Sequence, residues 1–252
     1  MNAITQAILN KSKLVVDLIK ITKATQDSFL MSINGKITKI GITTAHISAM
    51  TVDLVGPKGT FGRLDIPPAK IGPSGGDITI IDQVVKIADM EAFKAFVRAI
   101  MQDEDLVLRL DNGEATIKAL GRTSSIVYKK DIHLKGLKGL KTTVTETKSD
   151  GDGFESSILM VNPSPFEIDL GTVLYDVKDE NGTVIAEQKG ATYVKRGESS
   201  SKVTGPITGT ASKSQVRFVG ADVEENNWFK QIISAVDIWV AVPSDSKIWR
   251  AL

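Results

Sequence analysis

Histidine and cysteine, the side chains most often used in acid–base, nucleophilic and metal chemistry, are scarce in this chain. Histidine occurs only at His46 and His133, and the chain contains no cysteine. The absence of cysteine excludes disulfides, thiolate nucleophiles and Cys-ligated metals. Two histidines in separate segments form a metal site or a Ser-His-Asp triad only if the fold unites them. The sequence therefore predicts no metal, no cofactor and no recognisable catalytic constellation.

Charge and hydropathy limit the classes of partner. Lys and Arg total 31 against 30 for Asp and Glu, so no long-range field favours nucleic acid, and we predict no nucleic-acid partner. The first residues lack the basic start and the continuous apolar run of a signal peptide or a membrane span. These features predict a cytoplasmic location.

Most of the chain has the pattern of short strands. Runs rich in β-branched residues and bounded by Gly, Pro or Asn predict strands at 14–21, 28–37, 46–55, 62–66 and 77–87. Asn112-Gly113 predicts a two-residue hairpin turn between further strands. One helix is predicted at 89–101, because Asp89 can cap it and apolar residues follow at three- and four-residue spacing.

The second half repeats this plan. Trp228, Ile232 and Val236 recur at four-residue intervals and predict a second helix at 224–236. Glycines and charges cluster at 140–153 and are typical of a linker. We therefore predict a mainly β protein with two tandem antiparallel β-sandwich domains, 1–145 and 146–252, each with one packed α-helix.

The segment from Val161 to Gln188 shows the clearest local pattern. Asn162-Pro163 and Ser164-Pro165 favour an extended chain as it enters a strand that alternates through Phe166 and Leu170. The alternation changes phase at Gly171, which indicates a bulge. The sequence Asp-Glu-Asn-Gly at 179–182 predicts the turn of the following hairpin.

These residues resemble a known family. Val161–Glu187 resembles the Asn-Pro-x-x-Phe strand and hairpin of the water-stress and hypersensitive-response domain of group-two late-embryogenesis-abundant proteins. Ile21–Ile37 and Val84–Met101 are similar to an uncharacterised fungal family that joins such domains in tandem, although Lys23-Ala24 replaces its Asn-Pro. The resemblance implies paired β-sandwiches with an apolar groove that contacts lipid or other apolar molecules.

A local run of lysines offers a second kind of partner. It consists of Lys129, Lys130, Lys135, Lys138 and Lys141. Such a run is typical of a solvated edge strand whose charges discourage edge-to-edge pairing. The alternative is that these lysines bind an anionic surface, in a peripheral contact with membrane headgroups.

The aromatic residues of the second half suggest a pocket. All three tryptophans lie in the last part of the chain, where they would pack the final elements on the second domain. The alternative is that aromatic side chains line an apolar cavity. The candidates for such a ligand-binding site are Tyr175, Tyr193, Phe218, Trp228 and Trp239.

Two functions of different classes agree with these patterns. The first is a binding module that holds a lipid or another apolar small molecule in a β-sandwich cavity, without turnover. The second is a cofactor-independent enzyme of fungal secondary metabolism, a cyclase or pericyclase that acts on an apolar polyene. Such a reaction needs orientation more than acid, base or metal, so the missing constellation does not exclude it. The binding module is the favoured hypothesis.

Overall fold

The chain folds into two compact units. The computed structural model describes residues 6, 12–38, 44–150, 153–243 and 249. Each unit has its own apolar core. Unit 1 comprises Met1–Lys23, Asp27–Ala99 and Asp105–Lys135, and unit 2 comprises Ala24–Gln26, Ile100–Glu104 and Gly136–Leu252.

Unit 1 contains two antiparallel sheets. Its strands are β1 (Lys13–Thr22), β2 (Ser28–Thr38), β3 (Ala45–Ile47), β4 (Met50–Gly56), β5 (Gly59–Ile66), β6 (Ala69–Ile71), β7 (Gly76–Lys86), β8 (Asp105–Ala119) and β9 (Arg122–Lys135). One sheet has the order β1-β2-β7. The other has the order β5-β4-β8-β3-β6, and β9 also pairs with β8. Along these strands buried and more exposed residues largely alternate, as the period of a strand requires.

The helix α1 occupies Met90–Gln102, where the sequence predicted a helix at 89–101. The Asp89 carboxylate accepts a hydrogen bond from the Ala92 amide at 2.9 Å, which caps the first turn. Phe93 of α1 stacks on Phe29 with ring centroids 5.1 Å apart, and Phe96 stacks on Phe61 at 4.7 Å. The apolar face of α1 is therefore part of the core of unit 1.

The predicted hairpin at Asn112-Gly113 is wrong. β8 is one strand of 15 residues that continues through Asn112, and its register with β9 shifts between Leu110 and Gly113. Asn112 has a positive φ of 55°, which suits a bulge as well as a turn. Because the local conformation is the same, the sequence could not separate the two. The chain instead turns at Leu120-Gly121.

Unit 2 is a closed barrel of seven strands. They are β10 (Lys141–Asp150), β11 (Gly153–Asn162), β12 (Phe166–Lys178), β13 (Val184–Val194), β14 (Gly197–Gly205), β15 (Gln215–Val223) and β16 (Asp237–Ala241). The order is β13-β14-β11-β10-β16-β15-β12, and β12 pairs with β13 to close the ring. β10 and β16 run parallel, and the other neighbours run antiparallel.

This closure contradicts the predicted fold class of two tandem β-sandwiches, each with one helix. β12 pairs with β15 on one side and with β13 on the other, so the sheet closes into a ring instead of packing against a second sheet. The same alternation of buried and exposed residues serves a sandwich and a barrel, because both bury one face of each strand. The strand pattern therefore could not distinguish the two architectures.

The second predicted helix, at 224–236, is also wrong. This segment forms two short 3₁₀ turns, Trp228–Gln231 and Ile233–Ala235, and no α-helix. Ile232, between them, has φ −138° and ψ −4° and so interrupts any helical path. Apolar residues at 228–229, 232–233 and 235–236 are all buried. Because apolar residues are buried throughout the segment and its Ile and Val are weak helix formers, tertiary packing rather than helix propensity determined the two 3₁₀ turns.

The junction between β11 and β12 explains the Asn-Pro-Ser-Pro segment. The buried side-chain amide of Asn162 donates to the Phe166 carbonyl at 2.7 Å, and its oxygen accepts from the Ser164 amide at 2.9 Å. The Ser164 hydroxyl accepts from the Phe166 amide at 3.2 Å. Asn162 thus satisfies backbone groups that the two prolines leave without ladder partners.

We expect Asn162→Ala to lower the free energy of unfolding by about 2–4 kcal/mol, because one buried carbonyl and one buried amide lose their partners. Urea denaturation measures the change. Asn181→Ala in the exposed turn after β12 is the control, and we expect a loss below about 1 kcal/mol. Equal losses in the two variants would show that the Asn162 hydrogen bonds do not hold this junction.

Candidate ligand-binding site

An apolar cavity lies inside the barrel of unit 2. Its free volume is about 50 Å³. The side chains around it come from six of the barrel strands, from the end of α1 and from two 3₁₀ turns and the residues that follow them. The lining residues are Met101, Leu137, Leu140, Ile158, Met160, Leu170, Tyr175, Thr192, Val194, Ser201, Val203, Phe218, Ala235, Val236, Asp237 and Ile238.

One pair of hydroxyl groups interrupts the apolar wall. Tyr175 of β12 and Thr192 of β13 lie with their oxygens 2.9 Å apart. Burial raises the pKa of Tyr175 to about 12, although the hydrogen bond with Thr192 acts in the opposite direction. Tyr175 is therefore a neutral hydroxyl near pH 7, and it can orient a guest by hydrogen bonding.

Short turns contribute to the cavity wall in addition to the barrel strands. Leu137 belongs to the 3₁₀ turn Leu137–Gly139, and Ala235 belongs to the 3₁₀ turn Ile233–Ala235. The unbranched side chains of Met101 and Met160 complete this part of the lining, and methionine adapts its shape at low cost.

Two other concave regions lie in unit 1. A second apolar cavity, of about 30 Å³, is lined by residues of both sheets that include Ile33, Leu64 and Tyr128. A depression of about 720 Å³ lies over β8 and β9 beside Gln6 and Ser48, and it is open to solvent. An open depression removes little water from a guest, so the less open cavity of unit 2, with its hydroxyl pair, is the better candidate site.

Only some of the candidate residues that the sequence suggested for this site line the cavity. Tyr175 and Phe218 both line the cavity, and their rings are 5.6 Å apart in an edge-on arrangement. Tyr193 is not a lining residue. Its hydroxyl donates to Glu167 at 3.1 Å. Trp228 is 2% exposed and packs on Phe229, and Trp239 is 49% exposed, so neither tryptophan lines the cavity.

The five lysines of the predicted basic patch differ in their surroundings. Lys129 pairs with Asp111 at 2.9 Å and Lys135 pairs with Asp105 at 2.9 Å, while the Lys130 ammonium donates to the Ser12 carbonyl at 2.6 Å. Burial lowers the pKa of Lys130. These three lysines belong to unit 1. Lys138 and Lys141 belong to unit 2, are exposed and have no ion pair within the described residues.

Sequence reasoning missed several residues of the cavity. Thr192 lies on the inward face of β13 with Gln188 and Val194, and the hairpin turn at 179–182 pointed to that strand. A register shift between Val177 and Lys178 hides the pairing of Thr192 from a simple count along the hairpin. Met101 and Leu137 lie far from this hairpin in sequence, so no local pattern identifies them as lining residues.

Neither a metal cluster nor a spanning helix is found in the parts of the chain that the structure describes. No three His, Cys, Asp or Glu side chains there lie together as metal ligands would. No helix among those residues has the length and apolarity needed to cross a membrane.

Comparisons with known proteins add a family and several distant structures. Residues 59–177 match a family described as a protein of unknown function (DUF3712). This match covers less than half of the chain and names no activity. No curated protein matches the chain in sequence.

The solved structures with detectable similarity are remote. Red sea bream transglutaminase is 13% identical over 90% of this chain and 31% of its own length, with a TM-score of 0.26. An Arabidopsis thaliana protein solved in solution is 16% identical over 46% of this chain and 79% of its own, with a TM-score of 0.23. An exo-chitosanase of Amycolatopsis orientalis is 12% identical over 89% of this chain and 26% of its own, with a TM-score of 0.27. The chain thus spans about a third or less of the two enzymes.

Proposed function

We propose that this chain is a binding module for a small apolar molecule, held without turnover in the cavity of unit 2. The observation that carries the proposal is the mainly apolar lining, in which the hydroxyls of Tyr175 and Thr192 lie within hydrogen-bond distance of each other. Ligand sites commonly combine apolar walls with a few polar groups that orient the guest. The resemblance to water-stress domains stays a prediction beside this proposal.

The cavity volume limits the guest. Ligand sites for drug-sized molecules have about 300–1,000 Å³, and this cavity has about 50 Å³. A compact guest therefore enters with small shifts of Met101 and Met160. A lipid chain requires displacement of the turn Leu137–Gly139 or of the turn Ile233–Ala235, so we expect compact apolar molecules to bind before long ones.

The ionisable lining residues support binding rather than acid–base turnover. Asp237 is held by Arg217, whose Nε donates to the carboxylate at 2.6 Å. Tyr175 keeps its proton near pH 7 because burial raises its pKa to about 12. Both groups can position a guest, and the raised pKa of Tyr175 makes its hydroxyl a poor proton donor at neutral pH.

Filling the cavity tests this proposal. Val203 is buried and lines the cavity, so Val203→Phe places a ring in the void. Val219→Phe is the matched control, because Val219 alternates with the buried Phe218 and Gly220 and faces outward. We expect the native chain and Val219→Phe to bind benzene saturably, whereas Val203→Phe loses at least about tenfold in affinity.

Benzene titration followed by nuclear magnetic resonance and by the shift in Tm measures both effects, with decanoate as the longer probe. Folding of each variant is checked from its spectrum before titration. Absence of saturable binding of both probes by the native chain would refute the proposal. So would equal affinities of Val203→Phe and Val219→Phe.

A further inference from the structure

The turn between β8 and β9 contains a residue that its conformation does not favour. Leu120 and Gly121 form a two-residue loop, with φ of 51° and 71°. Such turns favour Asn, Asp or Gly at both central positions, and a bulky residue with positive φ is strained. Leu120 is also 81% exposed. The leucine therefore adds strain at the tip and gains almost no burial within the described fold.

Basic side chains lie beside this tip on three neighbouring strands. The register places His46 of β3 opposite Lys70 of β6 and opposite Lys118 of β8. All three residues are exposed, and none has an ion pair within the described ranges. Lys70 and Lys118 therefore place positive charges on the two strands that flank β3. The nearest acidic residue along the exposed face of β8 is Glu114, about 13 Å from Lys118 by strand geometry.

The leucine and the basic row are parts of one surface. Lys118 precedes Leu120 by two residues, and the exposed Arg122 follows the turn. We call Leu120, Lys118, Lys70 and His46 the hairpin-tip surface. It combines a protruding apolar side chain with positive charge on the strands behind it. The strained backbone at Leu120 opposes stability of the isolated unit, and local strain of this kind points to a function.

We propose that the hairpin-tip surface docks on an anionic lipid bilayer, with Leu120 inserted at the headgroup level and Lys70 and Lys118 among the headgroups. The narrow, convex tip suits insertion into a deformable phase. Burying a leucine raises binding about tenfold or more, and each lysine near an anionic surface adds about fivefold. The hairpin-tip surface contains no Phe, Tyr or Trp side chain on which nucleic-acid bases could stack. This proposal does not depend on the cavity of unit 2.

The variant Leu120→Asn tests docking without a loss of stability. Asn-Gly is the preferred pair for this turn, so the variant should keep or raise Tm. We expect its partition onto vesicles of phosphatidylcholine and phosphatidylserine to fall about tenfold. The control is Ile81→Asn, because Ile81 is an exposed apolar residue of β7 with 74% exposure. Its partition should be unchanged.

Replacing the lysines of the row by neutral glutamine tests the role of their positive charge in docking. Lys70→Gln with Lys118→Gln should weaken binding about 25-fold and reduce its salt dependence. Lys36→Gln with Lys86→Gln is the matched control, because both lysines are exposed on the other sheet of unit 1. We expect that control to retain at least about half of the native binding.

Vesicle flotation of the full chain at low and high salt provides the measurement, with pure phosphatidylcholine vesicles for comparison. Stronger binding to the anionic vesicles, lost in the hairpin-tip variants and kept in the controls, supports the proposal. Three results would overturn it: no vesicle binding, equal binding to neutral and anionic vesicles, or binding that Leu120→Asn leaves unchanged. Binding of the tip to an acidic protein or an oligonucleotide, without vesicle binding, would also overturn it.

Discussion

Phe218→Ala is expected to lower the free energy of unfolding of unit 2 by about 3–5 kcal/mol. Phe218 is fully buried in β15, where its ring contacts Tyr175 at 5.6 Å and Trp249 at 6.3 Å between centroids. Its removal leaves a void inside a closed barrel, and strands paired on both sides cannot collapse to fill it. The loss of contacts and the new void together produce the large effect.

The same substitution should increase binding of a compact apolar guest. The void adjoins the existing cavity, because Phe218 is one of its lining residues. Benzene should therefore bind more tightly to Phe218→Ala than to the native chain and should restore part of the lost Tm. Chemical denaturation and thermal melting with and without benzene measure both effects.

Trp239→Ala is the control for this experiment. Trp239 lies on the neighbouring strand β16 but is 49% exposed. We expect a loss of stability below about 1 kcal/mol and no gain in benzene affinity. A stability loss in Phe218→Ala no larger than in Trp239→Ala would contradict the packing described for the barrel. A large loss without tighter benzene binding would contradict the continuity of void and cavity.

Phe93→Ala should destabilise unit 1 by a similar amount, about 3–5 kcal/mol. Phe93 is fully buried on α1, and its ring lies 5.1 Å from that of Phe29 and 5.6 Å from that of Phe61. The substitution removes two aromatic contacts and the packing of the helix on the strands β2 and β5. A helix of 13 residues has little stability of its own and depends on this packing.

Hydrogen exchange of the amides of α1, β2 and β5, with urea denaturation, measures the effect. Arg98→Ala is the control on the same helix, because Arg98 is exposed and alanine favours a helix. We expect Arg98→Ala to change stability by less than about 0.5 kcal/mol. If Phe93→Ala and Arg98→Ala had the same effect, the aromatic cluster would not be the main anchor of α1.

Elements with a strong local cause were predictable. The helix at Met90–Gln102 follows from the cap at Asp89 and from a single apolar face. The bulge at Gly171 follows from a change of alternation, and its φ of 73° is one that glycine tolerates. The turn at 179–182 follows from its Asn-Gly pair. Each depends on a few consecutive residues.

Other elements had a local pattern that permits two structures. Asn112-Gly113 supports a bulge or a hairpin, and packing against Val52 and Tyr128 leaves no room for a side chain at Gly113. The spacing of Trp228, Ile232 and Val236 fits a helix, but the intervening Phe229, Ile233 and Ala235 are buried as well, so burial is not confined to one helical face. Only contacts with the rest of the fold select between such alternatives.

The sequence by itself determined the mainly β content, the position of α1 and the entry into β12, because composition and short periodic patterns carry that information. Tertiary structure alone decided the closure of the barrel, the cavity with its Tyr175–Thr192 pair, the salt bridges of Lys129 and Lys135, and the row of basic residues behind Leu120. These features join residues that are far apart in the chain. Strand register decides which of these side chains come into contact, and a shift of one residue would turn every side chain of a strand to the opposite face.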